Sequence, residues 1–193
     1  MAQIILASSS PRRRELLKKL KLKFKIIKPS IHEKKFLKKI KNNNPYTIAC
    51  FLAYEKARSV AKKIKSDVIL GADTIVVLKN EIIGKPKNIK DAVKILKKLS
   101  GTTHRVITGV ALINSKTFNS IVFSDTSYVS FKKLKIKDIL DYIKNNNVMD
   151  KAGAYAIQEG ADPFIKKIKG SYDNVVGLPT EKLKKVLCFF KKL

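Results

Sequence analysis

Ile4-Ile5-Leu6-Ala7-Ser8-Ser9-Ser10-Pro11-Arg12-Arg13-Arg14-Glu15-Leu16-Leu17 reads as a strand, a turn and the opening of a helix in one short run. Ile4 to Ala7 is an unbroken apolar segment suited to a buried strand, and Leu16, Leu17 and Leu20 share one helix face. Between them Ser10 is a natural N-cap and Pro11 a natural first helical residue. Arg12, Arg13 and Arg14 then fall in the first turn, beside the positive end of the helix dipole, where each charge costs about 0.3–1 kcal/mol. Backbone N–H groups, three serine hydroxyls and guanidinium forks on one turn suit a phosphate. The plain alternative is an exposed basic turn in a basic chain.

Working outward, strand and helix signals keep alternating, with no internal repeat and no linker-like stretch. Residues 24–27 read as a strand, followed by a loop through Glu33. A long helix is predicted over 45–64, its inner stripe being Ala49, Ala53, Ala57, Val60, Ala61 and Ile64. An apolar extended segment follows over 68–78, and Ile82-Ile83 returns after a Lys79-Asn80 turn. Asn88 caps a helix with the stripe Ala92, Ile95, Leu96 and Leu99. Residues 105–113 and 120–131 read as long strands. Ile136, Ile139, Leu140 and Ile143 mark another amphipathic helix, and residues 180–193 a last one through Leu183, Val186, Leu187 and Phe190. The sum is an α/β chain around a mixed sheet, expected as one domain over residues 1–193.

The net charge is +27, yet only five of the 42 basic residues are Arg. The lysines are scattered over nearly every predicted helix, and runs such as Asn42-Asn43-Asn44 point to compositional drift. The charge therefore reads mostly as background that still steers anionic substrates in a salt-dependent way. There is no Trp, and the Lys-rich segments lack interleaved aromatics, so no specific nucleic-acid partner is expected. Cys50 and Cys188 are far apart without C-x-x-C spacing and fall on predicted apolar helix faces, which suggests buried free thiols. With His32 and His104 the only histidines, a zinc site is not expected. No run reaches membrane-spanning length and no signal-peptide pattern opens the chain, so a cytoplasmic location is expected.

Asp73 interrupts the apolar run Val68-Ile69-Leu70-Gly71-Ala72-Asp73-Thr74-Ile75-Val76-Val77. Aspartate is depleted in strands, and a buried carboxylate needs a partner or a chemical role. It suits a group that holds a divalent cation or activates water, unless it is a turn residue at a strand end. Gly71 and Ala72 leave room for a close approach. Lys85, locked between Gly84 and Pro86, suits a phosphate clamp. In Asp150-Lys151-Ala152-Gly153-Ala154-Tyr155-Ala156-Ile157-Gln158 the small residues suit a backbone packed closely against a ligand, and Gln158 could read a base edge through paired donor and acceptor. The stretch from Gly170 to Pro179 looks like a loop entering the last helix, as a cap or as a ligand contact.

Ser8, Ser10-Pro11-Arg12-Arg13 with Glu15-Leu16-Leu17, Gly71-Ala72-Asp73-Thr74, Gly84-Lys85-Pro86, Asp150-Lys151-Ala152-Gly153-Ala154-Tyr155 with Ile157-Gln158, and Val175-Val176-Gly177-Leu178-Pro179 resemble, in order, the motifs of the Maf family of nucleoside triphosphate pyrophosphatases. The resemblance implies an elongated mixed sheet flanked by helices, with a cleft for the nucleotide (Maf and ITPase-like). It also implies hydrolysis of a nucleoside triphosphate to the monophosphate and pyrophosphate with Mg²⁺ or Mn²⁺, on surplus or non-standard nucleotides, and a link to arrest of cell division. By motif, Asp73 matches the proton acceptor, and Ser8, Arg12, Arg13 and Lys85 match phosphate-binding positions. Ser10 belongs to the same turn. Glu33 and Lys56 match polar positions of the cleft, with Asp73 and Glu33 the expected metal carboxylates. Arg12, Thr74 and Gln158 match the specificity set of the branch acting on dTTP and UTP. Ala156 and Glu159 depart from the glycines frequent there. A homodimer is the family-level expectation. The alternatives are a pyrophosphatase for 7-methyl-GTP or another modified nucleotide, and a regulator that binds nucleotide or RNA without hydrolysis.

Overall fold

The computed structural model describes residues 3–32, 44–64 and 68–190. In order it has β1 (Ile4–Ala7), α1 (Pro11–Lys19), β2 (Phe24–Ile26), α2 (Pro45–Ala61), β3 (Val68–Leu78), β4 (Glu81–Ile83), α3 (Ile89–Leu99), β5 (Thr103–Asn114), β6 (Ser120–Phe131), α4 (Ile136–Asn145), β7 (Ile165–Lys169), α5 (Tyr172–Val176) and α6 (Thr180–Phe190), with short helical turns over 152–164. Among the described residues the strands form one sheet in the order β2-β1-β3-β5-β6-β7, with β4 pairing β3. β1 pairs in parallel with β2 and with β3, Ala7 lying opposite Gly71. β4 and β7 pair antiparallel with β3 and β6, so the sheet is mixed, as expected.

The expected start of the chain is the observed one. Ser10 caps α1 and accepts from the Arg13 backbone N–H, and Pro11 is the first helical residue. Asn44 and Asn88 cap α2 and α3 in the same way. β3 is buried at every position except half-exposed Thr74, the pattern of a strand covered on both faces.

The chain gathers into two compact units. One comprises Met1–Thr74, Thr108–Asp125 and Gly177–Leu193. Its core sets Ile5 and Ala7 of β1, Ile69 of β3, and Ala111 and Ile113 of β5 against Ala53, Ala57, Val60 and Ala61 of α2. The other comprises Ile75–Ile107 and Thr126–Val176. Its core joins Ala92, Leu96 and Leu99 of α3 to Ile139, Tyr142 and Ile143 of α4 and to a set of rings including Phe131, Tyr155 and Phe164.

Two sequence expectations are corrected. The buried face of α4 is Ile139, Tyr142 and Ile143, whereas Ile136 and Leu140 are each about half exposed. The aliphatic spacing fits a helix, but the ring of Tyr142 fills the core position and turns the two aliphatic residues outward. Both cysteines are free, as expected, but neither is buried: Cys50 is half-buried and Cys188 exposed. Among the described residues no helix is long and apolar enough to cross a membrane.

Candidate active site

The buried carboxylate flagged in the sequence has its partner. Asp73 is 8% exposed, and Lys56 of α2 donates from Nζ to its Oδ1 at 2.5 Å. Gly71 explains how the helix comes so close. A Cβ at Gly71 would sit 2.2 Å from the Ala53 carbonyl oxygen and 2.8 Å from the Ala57 backbone nitrogen. The close approach that Gly71 permits is therefore that of α2 itself. Lys56 lies on α2 between Ala53 and Ala57, and Asp73 shares the strand face of Gly71, because side chains alternate along a strand. Asp73 is thus a mid-strand residue and not a turn residue at a strand end.

The second feature surrounds Arg13 on the first turn of α1. Its Nε donates to the Gly177 carbonyl oxygen at 2.9 Å, Nη1 to Ser8 Oγ at 3.4 Å, and Nη2 to Thr74 Oγ1 at 3.0 Å. Thr74 Oγ1 also lies 3.0 Å from Thr108 Oγ1. Ser8, 4% exposed, additionally accepts the Ser10 backbone N–H at 3.2 Å. A hydroxyl oxygen has two lone pairs and one proton, so these two bonds leave Ser8 its proton to donate. A donating hydroxyl, the capped start of a helix and a fixed guanidinium make a turn that can bind phosphate oxygens. Gly177 has φ +125°, a left-handed conformation favouring glycine, and this turn aims its carbonyl at Arg13.

Ser8, Ser10, Arg12, Arg13, Lys56, Asp73 and Thr74 all belong to one unit. Arg12 is half-buried on the first turn of α1. Lys85 and Gln158 belong to the other unit and are exposed. There the Gly84 carbonyl accepts the Gly153 N–H at 3.1 Å, which fastens the turn of Lys85 to the turn 152–154. Gln158 lies in the turn 157–161. Its neighbour Glu159 pairs at 2.8 Å with Lys151, whose side chain is 3% exposed. Lys151 also pairs with Asp150 at 2.8 Å and bonds the Asn147 carbonyl oxygen. The sequence expected the small residues of 150–158 to pack closely against a ligand; Ala154 instead lies in the core of this unit, and a Cβ at Gly153 would sit 3.2 Å from Val76 Cγ2. Glu33 lies outside the described residues.

Among the described residues there is no group of three or more His, Cys, Asp or Glu side chains that could hold a metal ion. Mg²⁺ takes only one or two carboxylates when substrate phosphates and waters complete its octahedron. The Asp73 carboxylate, with one oxygen on Lys56 and a second oxygen beside it, fits such a cation. Thr108 and the Gly177 carbonyl were not anticipated. Thr108 stands as a lone hydroxyl in Val106-Ile107-Thr108-Gly109-Val110, the same kind of interruption that exposes Asp73. A backbone carbonyl leaves no such trace.

A family model described as Maf-like protein matches residues 3–190. A dTTP/UTP pyrophosphatase of Ruminiclostridium cellulolyticum is 46% identical over 187 residues, which is 97% of this chain and 95% of the relative. A dTTP/UTP pyrophosphatase of Alkaliphilus oremlandii is 48% identical over 189 residues, again 97% of this chain and 95% of the relative. A dITP/XTP pyrophosphatase structure from Mycobacterium abscessus matches at 11% identity with a TM-score of 0.42, covering 83% of this chain and 92% of that one. That likeness is too slight to carry weight.

Proposed function

The chain belongs to the Maf family, and from that premise we propose that it hydrolyses dTTP and UTP to the nucleoside monophosphate and pyrophosphate. The reading takes residues 1–193 as one catalytic domain. The observation that carries it is the Asp73–Lys56 pair at 2.5 Å, in the same unit as the Ser8, Arg13 and Thr74 network. A carboxylate fixed by an ammonium and a phosphate-binding helix start are the two parts this hydrolysis requires.

In this reading Asp73 accepts a proton from water as the water oxygen bonds to the α-phosphorus. The bond from that phosphorus to the bridging oxygen breaks, and its electron pair leaves with pyrophosphate. Lys56 holds the carboxylate in place. Ser8, Arg12, Arg13 and the capped start of α1 bind phosphate oxygens and stabilise the charge growing on the leaving group. Lys85 is a further phosphate-binding group, and Gln158 reads the base with donor and acceptor atoms. A divalent cation, Mg²⁺ or Mn²⁺, held at Asp73 with Glu33 as second carboxylate, supplies charge neutralisation when bound.

The test is a product-resolved assay of the purified protein with Mg²⁺ against dTTP, UTP, CTP, GTP and 7-methyl-GTP. Monophosphate and pyrophosphate from dTTP and UTP are the expected result. Turnover of 7-methyl-GTP alone overturns the pyrimidine assignment while keeping the reaction. Binding of every nucleotide without hydrolysis overturns the reaction itself.

A further inference from the structure

Thr108 of β5 is fully buried, yet the catalytic reading gives it no task. Its Oγ1 lies 3.0 Å from Thr74 Oγ1, and the same Thr74 oxygen accepts from Arg13 Nη2 at 3.0 Å. An arginine can only donate. The Thr74 oxygen must therefore present a lone pair to Arg13, and the bond to Thr108 fixes the hydroxyl rotor in that orientation whichever threonine donates. Arg13 is held on its other donors by the Gly177 carbonyl and by Ser8. Its planar fork is thus set from several sides, and on one of them the Thr74 acceptor is itself backed by a buried β5 hydroxyl.

We propose that Thr108 is a positioning residue for phosphate recognition: acting through Thr74, it sets the Arg13 guanidinium and so governs the grip on the triphosphate. The inference rests on the reading of Arg13 as a phosphate-binding residue. Loss of the Thr108 hydroxyl would loosen the arginine equally for every nucleotide, because all of them carry the same triphosphate.

The experiment measures T108V and T108S beside the parent protein. Steady-state kinetics are taken with dTTP and UTP, and the affinity for inorganic tripolyphosphate, which has no base, is measured by calorimetry. In T108V, KM for both nucleotides and Kd for tripolyphosphate are expected to rise by a common factor of about three to ten, with kcat changed less than about twofold, as befits one hydrogen bond. T108S restores the parent values. In an R13K background T108V adds nothing, because the coupling runs through the guanidinium. T108A removes the same hydroxyl without adding a methyl group and must loosen tripolyphosphate likewise, which serves if T108V does not fold. A changed dTTP-to-UTP preference with unchanged tripolyphosphate affinity overturns the proposal, as does full additivity with R13K. Failure of the parent to hydrolyse dTTP or UTP would count against the catalytic reading alone, since tripolyphosphate affinity still reports on Thr108.

Discussion

Asp73 and Lys56 are each about one-eighth exposed at the side chain, so each charge relies on the other more than on water. Breaking such a pair from one side leaves an uncompensated charge, at a cost of about 3–5 kcal/mol when burial is complete. Lys56→Met is expected near the lower end of that range in chemical denaturation and to lower kcat as well, because the carboxylate loses its anchor. A variant as stable and active as the parent would remove Lys56 from the account. His104 makes a separate prediction. It is 1% exposed, its Nε2 lies 2.7 Å from Tyr155 Oη, and its Nδ1 finds no partner among the described residues. Burial lowers its pKa from 6.5 to about 4. Between those values the unfolded chain binds a proton that the folded chain refuses, so stability falls as pH drops through this window, by a few kcal/mol at most. Melting curves from pH 7 to pH 4 should show that slope, and His104→Gln should flatten it. Asp73 was legible in the sequence because a charge in an apolar strand is conspicuous. Its partner was legible only by motif, since one lysine among so many carries no signal of its own.

At the scale of elements, β3 and α2 are joined by the absence of a side chain. Gly71→Ala would drive a methyl group into the Ala53 carbonyl, and overpacking of this kind costs typically about 1–3 kcal/mol. The backbone cannot swing aside as a side chain can, so the top of that range is expected, together with a loss of turnover as Lys56 moves from Asp73. A thermal melt and an activity assay on the one variant check both. Ser10→Ala should cost about 1 kcal/mol through the lost cap. Such elements were legible because caps and breakers act locally: Ser10-Pro11, Pro45 and Asn88 mark helix starts within a residue. The orientation of α4 was not, because Tyr142 competes for the core on size and ring contacts, at 5.0 Å from the Phe164 ring. An aliphatic stripe does not reveal that competition. Cys188 departs for a similar reason: it is exposed on a helix whose buried positions are Thr180, Leu183, Leu187 and Phe190.

For the whole molecule, a net charge of +27 on 193 residues should draw a triphosphate inward from a distance. Steering of this kind weakens as salt shortens the screening length from about 30 Å at 0.01 M to about 8 Å at 0.15 M. The expected result is a fall in kcat/KM for dTTP with ionic strength while kcat stays level; a salt-independent kcat/KM would return the charge to mere composition. The alternation of elements made the α/β class and mixed sheet legible, and the ordered motifs pointed to the family. The long-range bonds that shape the site, Arg13 to Gly177 and Thr74 to Thr108, were not legible, because they join ordinary residues across distant parts of the chain. Everything in the catalytic account turns on Asp73, and one measurement reaches it directly: single-turnover hydrolysis of dTTP by the parent protein and by Asp73→Asn, with pyrophosphate quantified. The account predicts pyrophosphate from the parent and a loss of about 10²–10⁴-fold in the variant, with nucleotide affinity largely kept. Equal rates in the two proteins, or release of inorganic phosphate in place of pyrophosphate, would contradict it.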